Sequence, residues 1–155
     1  MGKAEAIAEI MQSLRRIFKA IQQYSEDVLK EFGVTGPQLW ALRVIYTEGQ
    51  LSMGKLSERM YLHMSTVSGI VDRLEKKGYV ERKRDVADRR VVKISLTKTG
   101  KKLVQKAPEA AQGKLLHGLE SLSRQEVLTI FSSLEKVVRM MMIEDMKATF
   151  FFSEE

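Results

Sequence analysis

The sequence predicts a mainly α-helical fold with a minor β component, a single small β-hairpin. Apolar residues recur every three or four positions in long stretches at both ends of the chain, which is the spacing of one helix face. Proline occurs only twice, and Ala, Glu, Lys, Leu and Met are abundant. Between residues 79 and 96 the pattern changes to short β-branched or alternating segments, which are typical of strands. A chain of 155 residues with these features is expected to form one compact unit.

The first helix is long and amphipathic and is expected to end near Gly33, because glycine suits a left-handed C-cap. Its apolar stripe consists of Ile7, Ile10, Met11, Leu14, Ile17, Phe18, Ile21, Tyr24, Val28, Leu29 and Phe32. The second helix is predicted to begin at Thr35, with Gln38 placed to complete a capping box. Its buried stripe is expected to consist of Leu39, Leu42, Ile45 and Tyr46.

Two short helices joined by a tight turn follow. Ser52 is expected to cap the first of them, which runs to Met60, and residues 61–63 form the break. The second helix is predicted from about Ser65 to Lys77 and is stopped by Gly78. One face of this second helix is apolar, and the other carries small polar and charged residues: Ser65, Thr66, Ser68, Gly69, Asp72, Arg73 and Lys76. The arrangement indicates a helix-turn-helix.

Two strands, 79–84 and 91–96, are predicted on either side of a charged loop, residues 85–90. Thr97 is expected to cap the helix that follows, and Ser123 with Glu126 forms a capping box for the last helix. The inward face of that last helix is expected to consist of Val127, Ile130, Phe131, Leu134, Val137, Val138 and Met141. A helix-turn-helix followed by a hairpin is a winged helix-turn-helix, in which the hairpin is the wing.

The positive charge of the chain is concentrated in its middle third. Residues 53–102 hold fourteen Lys or Arg and six Asp or Glu, a net charge of +8, whereas the rest of the chain carries −2. A local excess of this kind favours a polyanion-binding surface, although a solvated face is the ordinary alternative for a charge run taken alone.

The exposed face of the second short helix is suited to the major groove of DNA, which admits an α-helix. Its small residues, Ser65, Thr66, Ser68 and Gly69, permit close approach, Arg73 is expected to make the strongest single contact, and Lys76 extends the cationic face. At the wing, Arg89 and Arg90 are candidates for the minor groove. Asp88 is expected to pair with a neighbouring arginine and fix its direction.

Several chemistries are not expected. The chain has no cysteine, and its two histidines, His63 and His117, are far apart, so no metal site and no cofactor is predicted. No phosphate-binding glycine loop, nucleophile elbow or carboxylate pair indicates an enzyme. The N-terminal residues show no signal-peptide pattern and no apolar run spans a membrane, so a cytoplasmic protein without a membrane partner is expected.

Four segments together resemble the MarR family of winged-helix transcriptional regulators: residues 56–60, 65–68, 71–80 and 88–100, the last with Asp88-Arg89-Arg90 and Leu96-Thr97-Lys98-Thr99-Gly100. The resemblance implies a homodimeric repressor or activator that binds a pseudo-palindromic operator in DNA, and of the two a repressor is expected. It implies an N-terminal dimerisation helix (1–33), a DNA-binding domain (34–102) and C-terminal dimerisation helices (103–155). The terminal segments, including the tail residues Phe150-Phe151-Phe152, are too apolar to stand uncovered, which also favours a dimer.

Family members often bind a small aromatic anion between the dimerisation helices and the DNA-binding lobe. The residues expected to line such an effector site here are Phe18, Trp40, Arg43, Tyr46 and His63. Two alternatives to an operator-binding regulator stay open on the sequence. One is a winged-helix protein-interaction scaffold that does not bind DNA, and the other is a nonspecific architectural DNA binder.

Overall fold

The computed structural model of the protein describes residues 1–88, 90–109 and 111–145. Within those ranges the chain forms seven helices and a three-stranded antiparallel sheet. The elements in order are α1 (Lys3–Phe32), α2 (Gly36–Glu48), β1 (Leu51–Ser52), α3 (Met53–Met60), α4 (Met64–Lys76), β2 (Val80–Arg84), β3 (Val92–Leu96), α5 (Lys98–Lys106), α6 (Ala111–Glu120) and α7 (Arg124–Met140). The predicted winged helix-turn-helix is confirmed, with α3 and α4 as the two short helices and β2 and β3 as the wing.

Side-chain caps fix where the helices begin. The hydroxyl groups of Thr35, Ser52, Thr97 and Ser123 each accept a hydrogen bond from a first-turn amide of the helix that follows. The capping boxes predicted at Thr35 and Ser123 are both present. Each cap satisfies an amide that lacks an intrahelical partner, so these boundaries depend on local chemistry alone.

The sheet has the strand order β1-β3-β2. In the wing, Val80 lies opposite Leu96 and Arg84 opposite Val92. The short strand β1 was not predicted, because its two residues become a strand only by pairing with Lys93 and Ile94, about forty positions later in the chain.

Helix α2 forms the centre of the core. Seven consecutive residues, 36–42, are buried, since α3, α4, α5 and β3 surround the helix. The predicted buried stripe is correct for Leu39, Leu42 and Ile45 but wrong for Tyr46, which is 45% exposed. Tyr46 lies near the C-terminal end of α2, and its hydroxyl accepts a hydrogen bond from the side chain of Gln105.

Helix α5 belongs to the same core. Leu103, Val104 and Ala107 are buried within it, so the core continues past the domain boundary that was expected at residue 102. Gly100 of α5 packs so closely on the backbone of Tyr79 that an added β-carbon would overlap the Tyr79 carbonyl oxygen.

The terminal helices leave apolar side chains uncovered. In α1 only Val28 is buried, and in α7 no residue is. The expectation that α7 turns Ile130, Phe131 and Leu134 inward is therefore wrong for a single chain, because none of its described elements buries them. Residues 146–155, which include the tail Phe150-Phe151-Phe152, lie outside the described residues. None of the helices that the structure describes is long and apolar enough to cross a membrane.

Candidate nucleic-acid interface

Helix α4 divides its residues between the core and the outside. Val67, Ile70, Val71 and Leu74 are buried, and this face fixes the helix against α2 and α3. On the other side Ser65, Arg73 and Lys76 are exposed, whereas Thr66, Ser68 and Gly69 are partly exposed. A β-carbon added to Gly69 would meet no atom within 4 Å, so the surface there is open to an incoming molecule.

The turn between α3 and α4 sets the direction of α4. Tyr61 takes a left-handed conformation with φ 54°, which is uncommon for a residue other than glycine. The Ser57 hydroxyl donates a 2.6 Å hydrogen bond to the Leu62 carbonyl and so holds the turn against α3. His63 then serves as the N-cap residue of α4.

Ion pairs distinguish cations that stabilise the fold from cations that are free for a partner. Among the described basic residues of 53–102, five form ion pairs with acids: Lys55, Arg59, Arg82, Lys83 and Lys93. Lys77 donates instead to the Gly33 carbonyl at 2.6 Å and to the side chain of Gln38 at 3.2 Å.

The remaining cations of the described part of that segment have no such partner. They are Arg73, Lys76, Arg84, Arg90, Lys98, Lys101 and Lys102, and all of them are exposed. Arg73, Lys76 and Arg90 were predicted, whereas Arg84 at the end of β2 was missed. The sequence signal for Arg84 was the run Arg82-Lys83-Arg84, in which the ion pairs leave only the third cation unpaired.

Arg82 links the wing to α4. Its guanidinium donates to Asp72 at 2.6 Å and to Glu75 at 2.5 Å, and both acids lie on α4. The hydrogen bond to Asp72 and the negative charge of Glu75 raise the pKa of Arg82. This bridge joins α4 and the wing, which carry the unpaired cations Arg73, Lys76, Arg84 and Arg90, and it balances acidic charge on the outer side of α4.

Asp85 organises the wing loop. Its carboxylate accepts hydrogen bonds from the backbone amides of Ala87 (2.7 Å) and Asp88 (3.4 Å) and forms an ion pair with Lys93. The bond from Lys93 and the two backbone bonds hold the pKa of Asp85 below its ordinary value. The sequence did not identify this role, although an aspartate at the start of a loop is typical of such turns.

Asp88 has a related role but a different partner from the one expected. Its carboxylate accepts a 2.9 Å hydrogen bond from the backbone amide of Arg90, so it fixes the course of the chain at Arg90 and binds no guanidinium among the described residues. Arg89, the other predicted wing cation, lies outside the described residues.

A cavity of about 410 Å³ lies between α2, the end of α3, and α6 with the residue Glu109 that precedes it. Trp40, Arg43 and Tyr46, three of the five residues named for an effector site, line this cavity. Phe18 and His63 do not: Phe18 is 59% exposed on α1, and His63 is the N-cap residue of α4. Phe18 and His63 were grouped with the other three residues because of their residue types. Which side chains share a cavity depends instead on how helices that are far apart in the sequence pack together.

Comparison with known proteins supports these observations. The model of the MarR family matches residues 34–92, from the residue before the Thr35 cap into β3. The HTH-type transcriptional regulator YsmB of Bacillus subtilis is 37% identical over 133 residues, which cover 86% of this chain and 91% of that protein. The HTH-type transcriptional repressor MdtR of the same organism is 30% identical over 124 residues, with 80% of each chain covered.

A solved structure agrees in fold and sequence. A MarR family protein from Bacillus stearothermophilus is 34% identical and superposes with a TM-score of 0.56, covering 92% of this chain and 99% of that one. The similar proteins are transcriptional regulators and not enzymes. From the helix-turn-helix, the wing and these relatives together, we conclude that the chain belongs to the MarR family of winged-helix transcriptional regulators.

Proposed function

We propose that the protein is a sequence-specific repressor that binds a pseudo-palindromic operator in double-stranded DNA as a homodimer. The observation that carries this proposal is the placement of unpaired cations on two consecutive elements, with Arg73 and Lys76 on α4 and Arg84 and Arg90 on the wing. Neighbouring cations of the same segment, including Lys55, Arg82 and Lys83, are held in ion pairs and are not free for a partner.

In this proposal α4 is the recognition helix. Ser65, Thr66, Ser68 and Gly69 allow its first turns to approach the base edges, where a bulky side chain would keep the helix out. Arg73 offers two parallel donors to a guanine, a contact that contributes about 1–3 kcal/mol of discrimination. Lys76, one turn further on, contacts a phosphate and adds affinity without sequence preference.

The wing contributes a second, independent contact. Arg90, together with Arg89, enters the minor groove, where the negative potential favours a long cationic side chain. Asp85 and Asp88 accept hydrogen bonds from backbone amides of the loop, so the backbone at Arg90 is held before DNA binds.

The dimer is supported by the uncovered apolar faces of α1 and α7. Ile10, Ile17 and Phe18 of α1 and Phe131 and Leu134 of α7 are all more than 45% exposed in the single chain. Burial of such faces against a second copy removes apolar surface from water. A two-fold axis then places two recognition helices about 34–36 Å apart, which is one turn of DNA.

Repression and its relief are the finer parts of the proposal. The relative MdtR is named a transcriptional repressor, and this supports repression as the effect of binding. The cavity beside the helix-turn-helix supports relief by a small aromatic effector, because Tyr61 in the turn before α4 lines it. An effector that favours another position of α4 lowers operator affinity by population shift.

Selection of bound sequences from random duplex DNA tests the proposal. The purified protein at physiological salt is expected to enrich an inverted repeat with half-sites about 10 bp apart. Binding is expected to weaken with salt, because each neutralised phosphate adds about −0.9 to the log-log slope. Salt-sensitive binding without any enriched sequence would indicate an architectural DNA binder, and no DNA binding would indicate an interaction scaffold.

A further inference from the structure

We infer that the cavity beside the helix-turn-helix binds a planar aromatic cation. This inference rests on the proposed function, because it names the chemical class of the effector that relieves DNA binding. The cavity volume of about 410 Å³ falls within the range of about 300–1,000 Å³ that is usual for small-molecule sites.

The charge of the lining favours a cation. The lining holds four glutamates, Glu48, Glu58, Glu109 and Glu120, and two arginines, Arg43 and Arg59. Glu58 is paired with Lys55, which does not line the cavity. With His117 neutral, the lining has a formal charge of −2. A negative lining lowers the free energy of a bound cation and raises that of a bound anion.

The cationic groups of the lining are already engaged. Arg43 donates to the backbone carbonyls of Ala107 and, at 3.3 Å, Pro108, and these bonds fix the segment between α5 and α6. Arg59 forms an ion pair with Glu48 at 3.2 Å. The contacts of Arg43 and Arg59 take up part of their hydrogen-bond donors, and Glu48 balances the charge of Arg59.

The other charged or titratable side chains of the lining, His117, Glu109 and Glu120, also favour a cationic ligand. The His117 ring contacts Glu109 at 3.1 Å, whereas Glu120 has neither an ion pair nor a hydrogen bond from its side chain within the described part of the chain. A cation therefore finds a carboxylate without a competing partner. The charge of this lining therefore favours a cation over the aromatic anion that the family resemblance implies.

Three aromatic residues supply faces for a planar ligand. Trp40, Tyr46 and Tyr61 all line the cavity. Aromatic faces attract cations through the quadrupole of the ring, and this attraction is strongest for tryptophan. The combination of ring faces with carboxylates selects a ligand that is both flat and positively charged.

Tyr61 provides a route from the cavity to the DNA-binding surface. It lies in the turn of the helix-turn-helix with φ 54°, three residues before α4 begins at Met64. A ligand that packs on the Tyr61 ring contacts the segment that sets the direction of α4. If the direction of α4 differs between the ligand-bound and the DNA-bound protein, ligand binding at the cavity changes the affinity for DNA.

Calorimetric titration of the free protein with a matched pair of ligands tests the inference. The probes are 1-methylquinolinium, a cation, and quinoline-2-carboxylate, an anion with the same ring system. The cation is expected to bind about tenfold tighter or more, because the two charges interact with the lining in opposite senses. Trp40 is the single tryptophan of the chain, so a saturable change in its fluorescence reports binding in this cavity.

Two variants locate the effect. Glu120→Gln is expected to weaken binding of the cation several-fold. Its affinity for the anion is expected to be at least that of the unaltered protein. Glu9→Gln removes the same charge from an exposed position on α1 that does not line the cavity, and it is expected to change neither affinity.

Equal or tighter binding of the anion, or no saturable binding of either probe, overturns the inference. Cation binding that is unaffected by Glu120→Gln and leaves Trp40 fluorescence unchanged also overturns it, because the cation then binds elsewhere. Operator selection is measured separately, without ligand. A protein that selects an operator but shows no preference for the cation retains the proposed function and loses only this inference.

Discussion

At the scale of single residues, Gly69 tests whether the backbone of α4 approaches the DNA bases closely. Its surroundings are open, so alanine fits the free protein. Gly69→Ala is expected to stabilise the fold by about 0.5–1 kcal/mol, since glycine inside a helix costs that much relative to alanine. Operator affinity is expected to fall about tenfold if the backbone of α4 approaches the bases closely.

Denaturant unfolding and operator titration of the same preparation check both parts of this prediction. Gly118→Ala in α6 is a matched control, because its added β-carbon also meets nothing within 4 Å. The control is expected to gain stability without losing operator affinity. If Gly69→Ala binds the operator as well as the unaltered protein does, close approach at this residue is wrong.

Asp85 of the wing loop is expected to make the free energy of unfolding depend on pH in the acid range. Its pKa in the folded protein is lowered, chiefly by Lys93, from an ordinary value of 3.8. A carboxyl group with a lowered folded pKa stabilises the folded state above its ordinary pKa, and that contribution is lost as pH falls through the folded pKa. Between about pH 5 and pH 2, Asp85→Asn is therefore expected to lose less stability than the unaltered protein. Urea unfolding across this range measures the difference, and parallel curves for the two proteins would exclude the effect.

At the scale of elements, the bridge from Arg82 to Asp72 and Glu75 couples the wing to the recognition helix. Arg82→Gln is expected to reduce operator affinity about tenfold more than Lys83→Gln, because it also exposes two acids of α4 to the phosphates. Lys83→Gln is the matched control, since it removes the same charge from the same strand. Within the described part of the chain, Lys83 forms an ion pair with Glu81 of β2 and with no acid of α4.

The effect of Arg82→Gln on stability is expected to be small, about 1 kcal/mol, because partly exposed ion pairs contribute little to folding. Fluorescence anisotropy with a labelled operator measures the affinity of both variants. Equal losses in the two variants would show that Arg82 acts through its charge alone and not through the bridge.

The contact between α5 and the strand region depends on Gly100. An added β-carbon would overlap the Tyr79 carbonyl oxygen, and backbone on both sides leaves no flexible side chain to move aside. Gly100→Ala is expected to destabilise the protein by about 2–4 kcal/mol. Gly118→Ala serves again as the control in denaturant unfolding, and similar midpoints for the two variants would contradict the close packing.

Local chemistry explains which elements were predictable. The hydroxyl caps at Thr35, Ser52, Thr97 and Ser123 act within three residues, and each predicted helix start agrees with the structure to within about one residue. β1 was not predictable because it depends on pairing with β3. Tyr46 was placed in the core by its spacing, although α2 opens to the cavity on that side.

The candidate interface was predictable in part for the same reason. Arg73 and Lys76 followed from helix periodicity, since their positions oppose the buried face of α4. The bridge from Arg82 to Asp72 and Glu75 joins two elements, and residue type alone does not indicate it. Nor does the sequence reveal that the cavity is acidic, because its glutamates come from α2, α3, α6 and the segment before α6.

At the scale of the whole molecule, the chain has an exposed apolar surface on α1 and α7 and a cationic surface on α4 and the wing. The first is proposed to hold two copies together, and the second to bind one half-site in each copy. Single-arginine variants separate these roles, because Arg73 and Arg90 are exposed and lie outside the buried core.

The most direct test compares operator affinities of Arg73→Ala, Arg90→Ala and the control Lys114→Ala, with sedimentation used to verify the dimer. Lys114 is an exposed cation of α6, away from α4 and the wing in the chain. Arg73→Ala and Arg90→Ala are each expected to lose about tenfold or more in operator affinity, about 1.4 kcal/mol of binding free energy. Both variants are expected to fold normally and to remain dimers. The operator affinity of Lys114→Ala is expected to stay within about twofold of that of the unaltered protein. Retained operator affinity in both Arg73→Ala and Arg90→Ala would contradict the proposed DNA-binding surface.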